Sequence, residues 1–284
     1  MRTRVLLLAL ITAGQSCAFG SGHGPVFGFA TPVNSKGEWS FDSGFFARIA
    51  SFGSQSTVRS MLTYGITPQL QTSFVAPVLI QQGSLPMSAT LGGGEFQGNV
   101  AWRFHHQPNA VGRRFESTVS VGVVAPGPQD SFGMFQGIHS APGLNAWAAT
   151  GVASRSSYVW LGGGVMAFGS RDGDRRPTVV TTSFVYGYRP RAWRSDQRRW
   201  DWRLFVETTG EHAGQLQRAG LLMPGTDANQ VFIGPTVLGI CNAFGISGGA
   251  QFPIYRDVGN VYPKERMRVA VNISYFLFSH SRSH

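Results

Sequence analysis

The sequence predicts an all-β protein, a transmembrane antiparallel β-barrel of about 12 strands that follows a cleaved signal peptide. Three observations predict it. The last long segment, Met267 to Phe278, sets Met267, Val269, Val271, Ile273, Tyr275 and Leu277 on one face and Arg268, Ala270, Asn272 and Ser274 on the other. A strict period of two makes this a single strand with one apolar and one polar face. Its dozen residues are about what a tilted strand needs to cross a bilayer. Segments of this kind recur along the chain, and between them short turns alternate with long Gly- and Pro-rich connections, as in outer-membrane barrels.

The elements follow in order. Arg2 and Arg4 precede the apolar run Val5 to Ala13, and either Ser16-Cys17-Ala18 or Ala18-Phe19-Gly20 offers the small residues a signal peptidase accepts. Residues 1–20 are therefore expected to be a signal peptide. The run is too short to span a membrane as a helix, and no later stretch of about 18 apolar residues exists. Cys17 invites lipidation, but Gly14 stands where an aliphatic residue is needed three places upstream. Cleavage leaves Cys241 as the sole cysteine, so no intramolecular disulfide can form.

Residues 21–36 are Gly- and Pro-rich without a sustained period. Their apolar set, Val26, Phe27, Phe29 and Val33, sits on a segment too irregular to lie in lipid, so a partial plug within or beneath the lumen is expected. Residues 37–278 form the expected barrel and 279–284 a C-terminal tail.

The expected strands are Gly37–Ser51, Ser56–Thr67, a third ending at Leu79, Glu95–His105, Arg114–Ala125, Leu144–Arg155, Ser157–Phe168, Thr178–Arg189, Trp200–Ala213, Gln230–Gly239, Ala243–Tyr255 and Arg266–Phe278. Most carry apolar residues on one face only. In Leu144–Arg155 and Ser157–Phe168 both faces are apolar or small, so their facing stays open. Both termini are expected in the periplasm, with turns near Pro68, Pro108, Ser156, Ala192 and Cys241. The 189–199 turn is unusually long for that side, which could mean strands extended past the membrane. A soluble β-sandwich is the competing fold, but its strands usually run only about 5–6 residues.

The chain has 24 Lys+Arg against 14 Asp+Glu; without Arg2 and Arg4 the balance is 22 against 14, a net of +8. Arginines are scattered singly in strands and clustered in one turn, with no basic helix and no nucleic-acid motif. A cationic envelope protein among anionic outer-membrane lipids accounts for this, and no nucleic-acid partner is expected. Only 13% of residues are charged, 12% are aromatic and 37 are Gly, a composition suited to a sheet facing lipid.

With apolar faces toward lipid, Asp42, Arg48, Arg59, Arg103, Glu116, Arg203, Glu207 and Arg268 point into the lumen. A charge on the lipid face would cost about 2–4 kcal/mol near the midplane. Such a set either lines a constriction that selects small solutes or fills a closed interior with ion pairs. Glu207 and Arg103, near the middle of their strands, are the constriction candidates. The excess of Arg in this set favours anionic or polarizable aromatic solutes. Two other readings stay open: a closed structural or adhesive barrel, and a lipid-modifying enzyme. The enzyme would need Ser two residues from His on one strand face, and none of the seven histidines has Ser two residues later. His105-His106 and the His280–His284 tail are weak metal candidates, since adjacent strand residues point oppositely. No catalytic residue, metal or cofactor is expected. The closing strand is the expected handle for the barrel-assembly machinery.

The stretch His23-Gly24-Pro25-Val26-Phe27-Gly28, then Thr31-Pro32-Val33-Asn34-Ser35-Lys36-Gly37-Glu38-Trp39-Ser40, resembles the start of an outer-membrane family labelled "MetA-pathway of phenol degradation". Tyr64-Gly65-Ile66-Thr67, Ile233-Gly234-Pro235 and the closing strand are similar too. The resemblance covers most of the mature chain and implies a barrel offering a route for small compounds, aromatic ones included. Its motifs are structural and carry neither a defined substrate nor an active site.

Overall fold

The structure, a computed structural model, describes residues 24–50, 53–82, 95–127, 138–194, 199–260 and 264–277. Residues 1–20, expected as signal peptide, and the tail 279–284 lie outside them. Twelve antiparallel strands close a barrel: β1 (Trp39–Ala50), β2 (Gly53–Gly65), β3 (Leu70–Gln82), β4 (Phe96–Ala110), β5 (Arg113–Ala125), β6 (Gly143–Ser154), β7 (Ser157–Phe168), β8 (Val179–Tyr188), β9 (Asp201–Ala213), β12 (Ala228–Cys241), β13 (Phe244–Val258) and β14 (Glu265–Leu277). Each strand pairs with its neighbour, and β1 closes onto β14 from Trp39↔Leu277 to Ala50↔Glu265. A two-stranded hairpin, β10 (Gln217–Arg218) and β11 (Leu221–Leu222), stands apart from the barrel in the β9–β12 connection.

Alternation sets the two faces. On β8, Val179, Thr181, Ser183 and Val185 are buried inside while Val180, Phe184, Tyr186 and Tyr188 are exposed outside. The facing of β6 and β7 is settled: Asn145, Trp147, Ala149, Tyr158, Trp160, Met166 and Phe168 point inward, and Leu144, Val159, Leu161 and Val165 outward. The end where β1 starts and β14 stops carries the shorter turns, the periplasmic side of an outer-membrane barrel. It is rimmed by outward aromatics in contact, Trp39 with Tyr64, Trp102 with Phe104, Trp200 with Trp202 and Phe244 with Tyr275. Amphipathic rings at that height suit a membrane–water interface.

Several local expectations are corrected. β4 runs on to Ala110, so its turn to β5 lies at Val111–Gly112 rather than at Pro108. A bulge between Trp102 and His105 breaks the alternation of β4. His105 therefore lies against the Phe115 ring, and His106 turns to the inward Glu116 instead. The 189–199 turn does not extend strands; β8 ends at Tyr188, and a short 3-10 turn covers Arg191–Trp193. β12 is longer than Gln230–Gly239, and Cys241 is its last residue.

Midway along β5, Val121 is outward and 60% exposed, whereas Val111 on the β4–β5 turn is 90% exposed. Val121→Arg should cost about 2–4 kcal/mol of stability in vesicles, and Val111→Arg within about 0.5 kcal/mol, read by urea unfolding. Equal costs would contradict the assigned lipid face.

Candidate functional site

The lumen is occupied by the chain's own residues 24–36. From Trp39 at the periplasmic end the segment turns inward. The Asn34 N–H donates to Gln71 Oε1 at 2.8 Å and its Nδ2 to Ser40 Oγ at 3.0 Å. Thr31 donates to Glu116 at 3.1 Å, accepts from Trp160 Nε1 at 3.2 Å, and its carbonyl accepts from Thr118 Oγ1 at 2.6 Å. Phe29 N–H donates to Ser183 Oγ at 2.9 Å.

Deeper still, one carboxylate takes three consecutive backbone donors. The N–H groups of Val26, Phe27 and Gly28 donate to Glu207 at 2.7, 2.6 and 2.7 Å, and the Thr236 hydroxyl donates to it as well. Glu207 has no exposed surface. An irregular segment inside a barrel needs partners for its amides, and a carboxylate offers about four lone-pair sites in one place. Hydrogen bonds to a charged acceptor are roughly twice as strong as neutral ones.

Side chains complete the fit. Phe29 stacks on Trp147 with ring centroids 5.7 Å apart. It lies over Gly162 and Gly164, where an added Cβ would come within 2.5 and 3.2 Å of it. Phe27 meets Phe46 edge-on at 6.1 Å, and with Val26 and Ala270 they form one buried cluster. The expected plug residues Val26, Phe27 and Phe29 are thus all inside the barrel, and Val33 is half-buried.

All eight charged residues assigned to the lumen point inward, but they do not form one ring. Toward the outer end Arg268 donates to Glu211 at 2.7 and 2.8 Å and to Glu265 at 2.9 Å, and Arg48 donates to Glu265 from Nε at 3.1 Å. The Arg268 guanidinium sits 3.5 Å from the Phe232 ring centroid. Every one of these ions is buried, so removing one partner would strand a charge at a cost of roughly 3–5 kcal/mol. Asp42 accepts from Ser274, and Arg59 lies half-buried on the inner face of β2. Glu207 does lie mid-barrel, yet its oxygens face the N-terminal segment rather than an open path.

Arg103 is the clearest correction. It donates to the Pro68 carbonyl at 2.7 Å and to Glu116 at 3.0 Å, which places it at the periplasmic rim and not at mid-height. Because β4 overshoots β3, the middle of its sequence is not the middle of the barrel. Glu116 also meets Arg114 and His106, each at 3.0 Å. Arg203 belongs to the same rim, 3.1 Å from Asp201, which also accepts from Arg189 at 2.6 Å.

The lumen set expected from the sequence omits Glu95, Glu211 and Glu265, and also Asp201 although it stands on the polar face of its strand. All four are buried and paired with inward arginines (Arg176 in the case of Glu95). Alternation alone would turn Glu265 outward; the bulge between Ile49 and Ala50 turns it in. With these acids counted, the inward arginines no longer exceed the inward carboxylates. Among the described residues no three His, Cys, Asp or Glu side chains converge to hold a metal.

The outer mouth is tied by Asp174. Its carboxylate accepts from the backbone N–H of Ala219 at 2.7 Å and of His139 at 2.9 Å, joining three connections above the barrel. Those two backbone bonds, Ala219 first, hold its pKa below the usual aspartate value.

Two outcomes follow from these contacts. Glu207→Gln replaces one acceptor oxygen by a donor facing N–H groups, so amide exchange at Val26 to Gly28 should accelerate by about tenfold or more in hydrogen-exchange mass spectrometry. Unchanged protection would show that the segment does not depend on the carboxylate. Asp174 with its depressed folded pKa stabilises the mouth above the unfolded value near 3.9, and that contribution is lost as pH falls through the folded pKa. Protease sensitivity of the 169–178 connection should therefore rise in acid, and Asp174→Asn should raise it at pH 7.

No family model matches the chain, and no curated protein matches it. Solved structures do. The NanC porin aligns at TM-score 0.51 and 10% identity over 83% of this chain and 98% of its own. LpxR from Salmonella typhimurium aligns at 0.42 and 10% identity, over 84% of this chain and 100% of its own. OccAB4 of Acinetobacter baumannii aligns at 0.40 and 11% identity over 82% of this chain, which spans 57% of the OccAB4 length. The likeness to NanC is one of fold. A closed 12-stranded barrel with an apolar, aromatic-rimmed exterior and that fold places this chain in the bacterial outer membrane.

Proposed function

We propose that this barrel is a passive channel for small solutes whose lumen is gated by residues 24–36. The observation that carries the reading is the three-amide grip of Glu207 on Val26, Phe27 and Gly28. The middle of the lumen is filled by residues 24–36, which are held by Glu207 and also by Ser183, Glu116, Thr118, Trp160 and Gln71 of the wall. Eight-stranded barrels fill themselves, and a 12-stranded one has room to spare. Sharing a fold with a porin supports passage of solutes without catalysis.

Paired inward charges leave little fixed charge to sort ions, so selection for anions loses its basis. Beside the segment the wall is aromatic, with Trp147 against Phe29 and Trp160 and Tyr158 packed with Ala30. This supports passage of small polarizable solutes, aromatic ones included, as the family resemblance also implies. One observation favours a closed barrel instead: Arg268 on β14 reaches Glu211 on β9, across the width of β13 and β12.

Planar-bilayer conductance separates the two. A Cβ built at Gly28 lies 3.5 Å from Ser183 Cβ, within disulfide range, provided the Val185 methyl moves aside. Gly28→Cys with Ser183→Cys, Val185→Ala and Cys241→Ser should conduct only after reduction, and Glu207→Gln should conduct more than the native chain. Silence of both, in protein shown folded by heat-modifiable gel migration, would establish the closed barrel.

A further inference from the structure

We infer that the periplasmic rim carries a binding surface for the phosphates of anionic phospholipids, laid out as an arc over three successive turns. The β4–β5 turn brings Arg113 and Arg114, the β6–β7 turn Arg155, and the β8–β9 turn Arg189, Arg191, Arg194 and Arg199. The other two turns at this end, 66–69 and 242–243, carry no charge. Among the described residues, much of the excess positive charge thus lies on one half of one rim.

Arg114 and Arg189 are already engaged by Glu116 and Asp201. Arg113, Arg155, Arg191 and Arg199 are exposed and form no ion pair among the described residues. The arc is continuous, because Arg155 lies over Gly112 and the Arg189 N–H donates to the Ser156 carbonyl at 2.8 Å. An added Cβ at Gly112 would come within 2.5 Å of Arg155 Nε, and its φ of +72° also favours glycine.

The occupant follows from what lies beside it. The same strands present outward aromatics, Trp102 and Phe104 on β4, Tyr186 and Tyr188 on β8, Trp202 on β9 and Trp200 just before it. Such rings sit at the level of lipid headgroups. Arg191 and Arg194 follow Tyr188 by three and six residues, and Arg199 immediately precedes Trp200. A flexible arginine stem reaches a few ångström along the surface, and its guanidinium pairs with phosphate through two parallel hydrogen bonds. The arc is therefore continuous with the lipid-facing belt, and phosphates of the inner leaflet are the anions next to it. An acidic periplasmic protein would meet the same charges but has no use for the aromatic belt.

Native mass spectrometry of the full barrel, released from detergent holding equal phosphatidylglycerol and phosphatidylcholine, tests this. The native chain should retain phosphatidylglycerol preferentially. Arg113→Gln, Arg155→Gln, Arg191→Gln, Arg194→Gln and Arg199→Gln together should cut that retention roughly tenfold and leave phosphatidylcholine unchanged. If the fivefold variant fails to fold, the three substitutions of the β8–β9 turn alone should still cut it by about threefold. Arg171→Gln with Arg175→Gln, at the opposite end, should change nothing. Equal retention of both lipids by the native chain would overturn the inference, as would an equal loss in that distal control. Tight binding of soluble polyglutamate without preference for phosphatidylglycerol would assign the arc to an acidic protein instead.

Discussion

Everything in this molecule depends on closing the backbone hydrogen-bond ladder. Inside a bilayer no water is available to an unpaired N–H or C=O, so a sheet can cross only if it has no edges. The β1–β14 seam supplies that closure, twelve pairs from Trp39↔Leu277 to Ala50↔Glu265. Once the strand number is fixed, the diameter is fixed with it. A barrel of this size encloses more space than inward side chains of ordinary length fill. The N-terminal segment and the buried ion networks are two answers to the same surplus of volume.

The two answers have different physics. The network of Arg48, Glu265, Arg268 and Glu211 is built within the wall, and each ion is held by partners whose loss leaves a charge in low dielectric. Such an arrangement resists change. The segment is held by backbone donors on Glu207 and Ser183 and by side-chain bonds of Thr31 and Asn34, with rings seated against Trp147 and Phe46. It enters from the sequence beside β1, and none of these bonds belongs to the strand ladder. The two halves of the lumen therefore differ in which groups supply the hydrogen bonds, buried ions in one and backbone amides in the other.

Much of the wall was legible in the sequence because a lipid-facing strand has to alternate. β1, β5 and β14 read directly. Alternation fails where the lumen is not polar. Trp147, Met166 and Phe168 face inward in one cluster with Phe29, and Trp160 in another with Ala30, Tyr158 and Phe205, so equating apolar with lipid left β6 and β7 undecided. Bulges hide a second group. The inward turn of His106 and of Glu265 depends on one extra residue in a strand, which no composition announces. Glu207 was readable as inward but not as the acceptor of three amides, since backbone donors leave no side-chain signature. The glycines at 28, 162 and 164 held the available hint: each stands where a Cβ would collide with the segment or with the wall that receives it.

Charge placement extends the same logic from the lumen to the rims. Inside, arginine and carboxylate are matched nearly one to one, because an unmatched ion there is expensive. At the periplasmic rim Arg113, Arg155, Arg191 and Arg199 are unmatched because water and headgroups solvate them. A basic sequence therefore says little about the charge inside a barrel. The excess charge collects where the dielectric is high and anionic lipid is adjacent, while the lumen is nearly balanced in charge and lined by the rings of Trp147, Trp160 and Phe29.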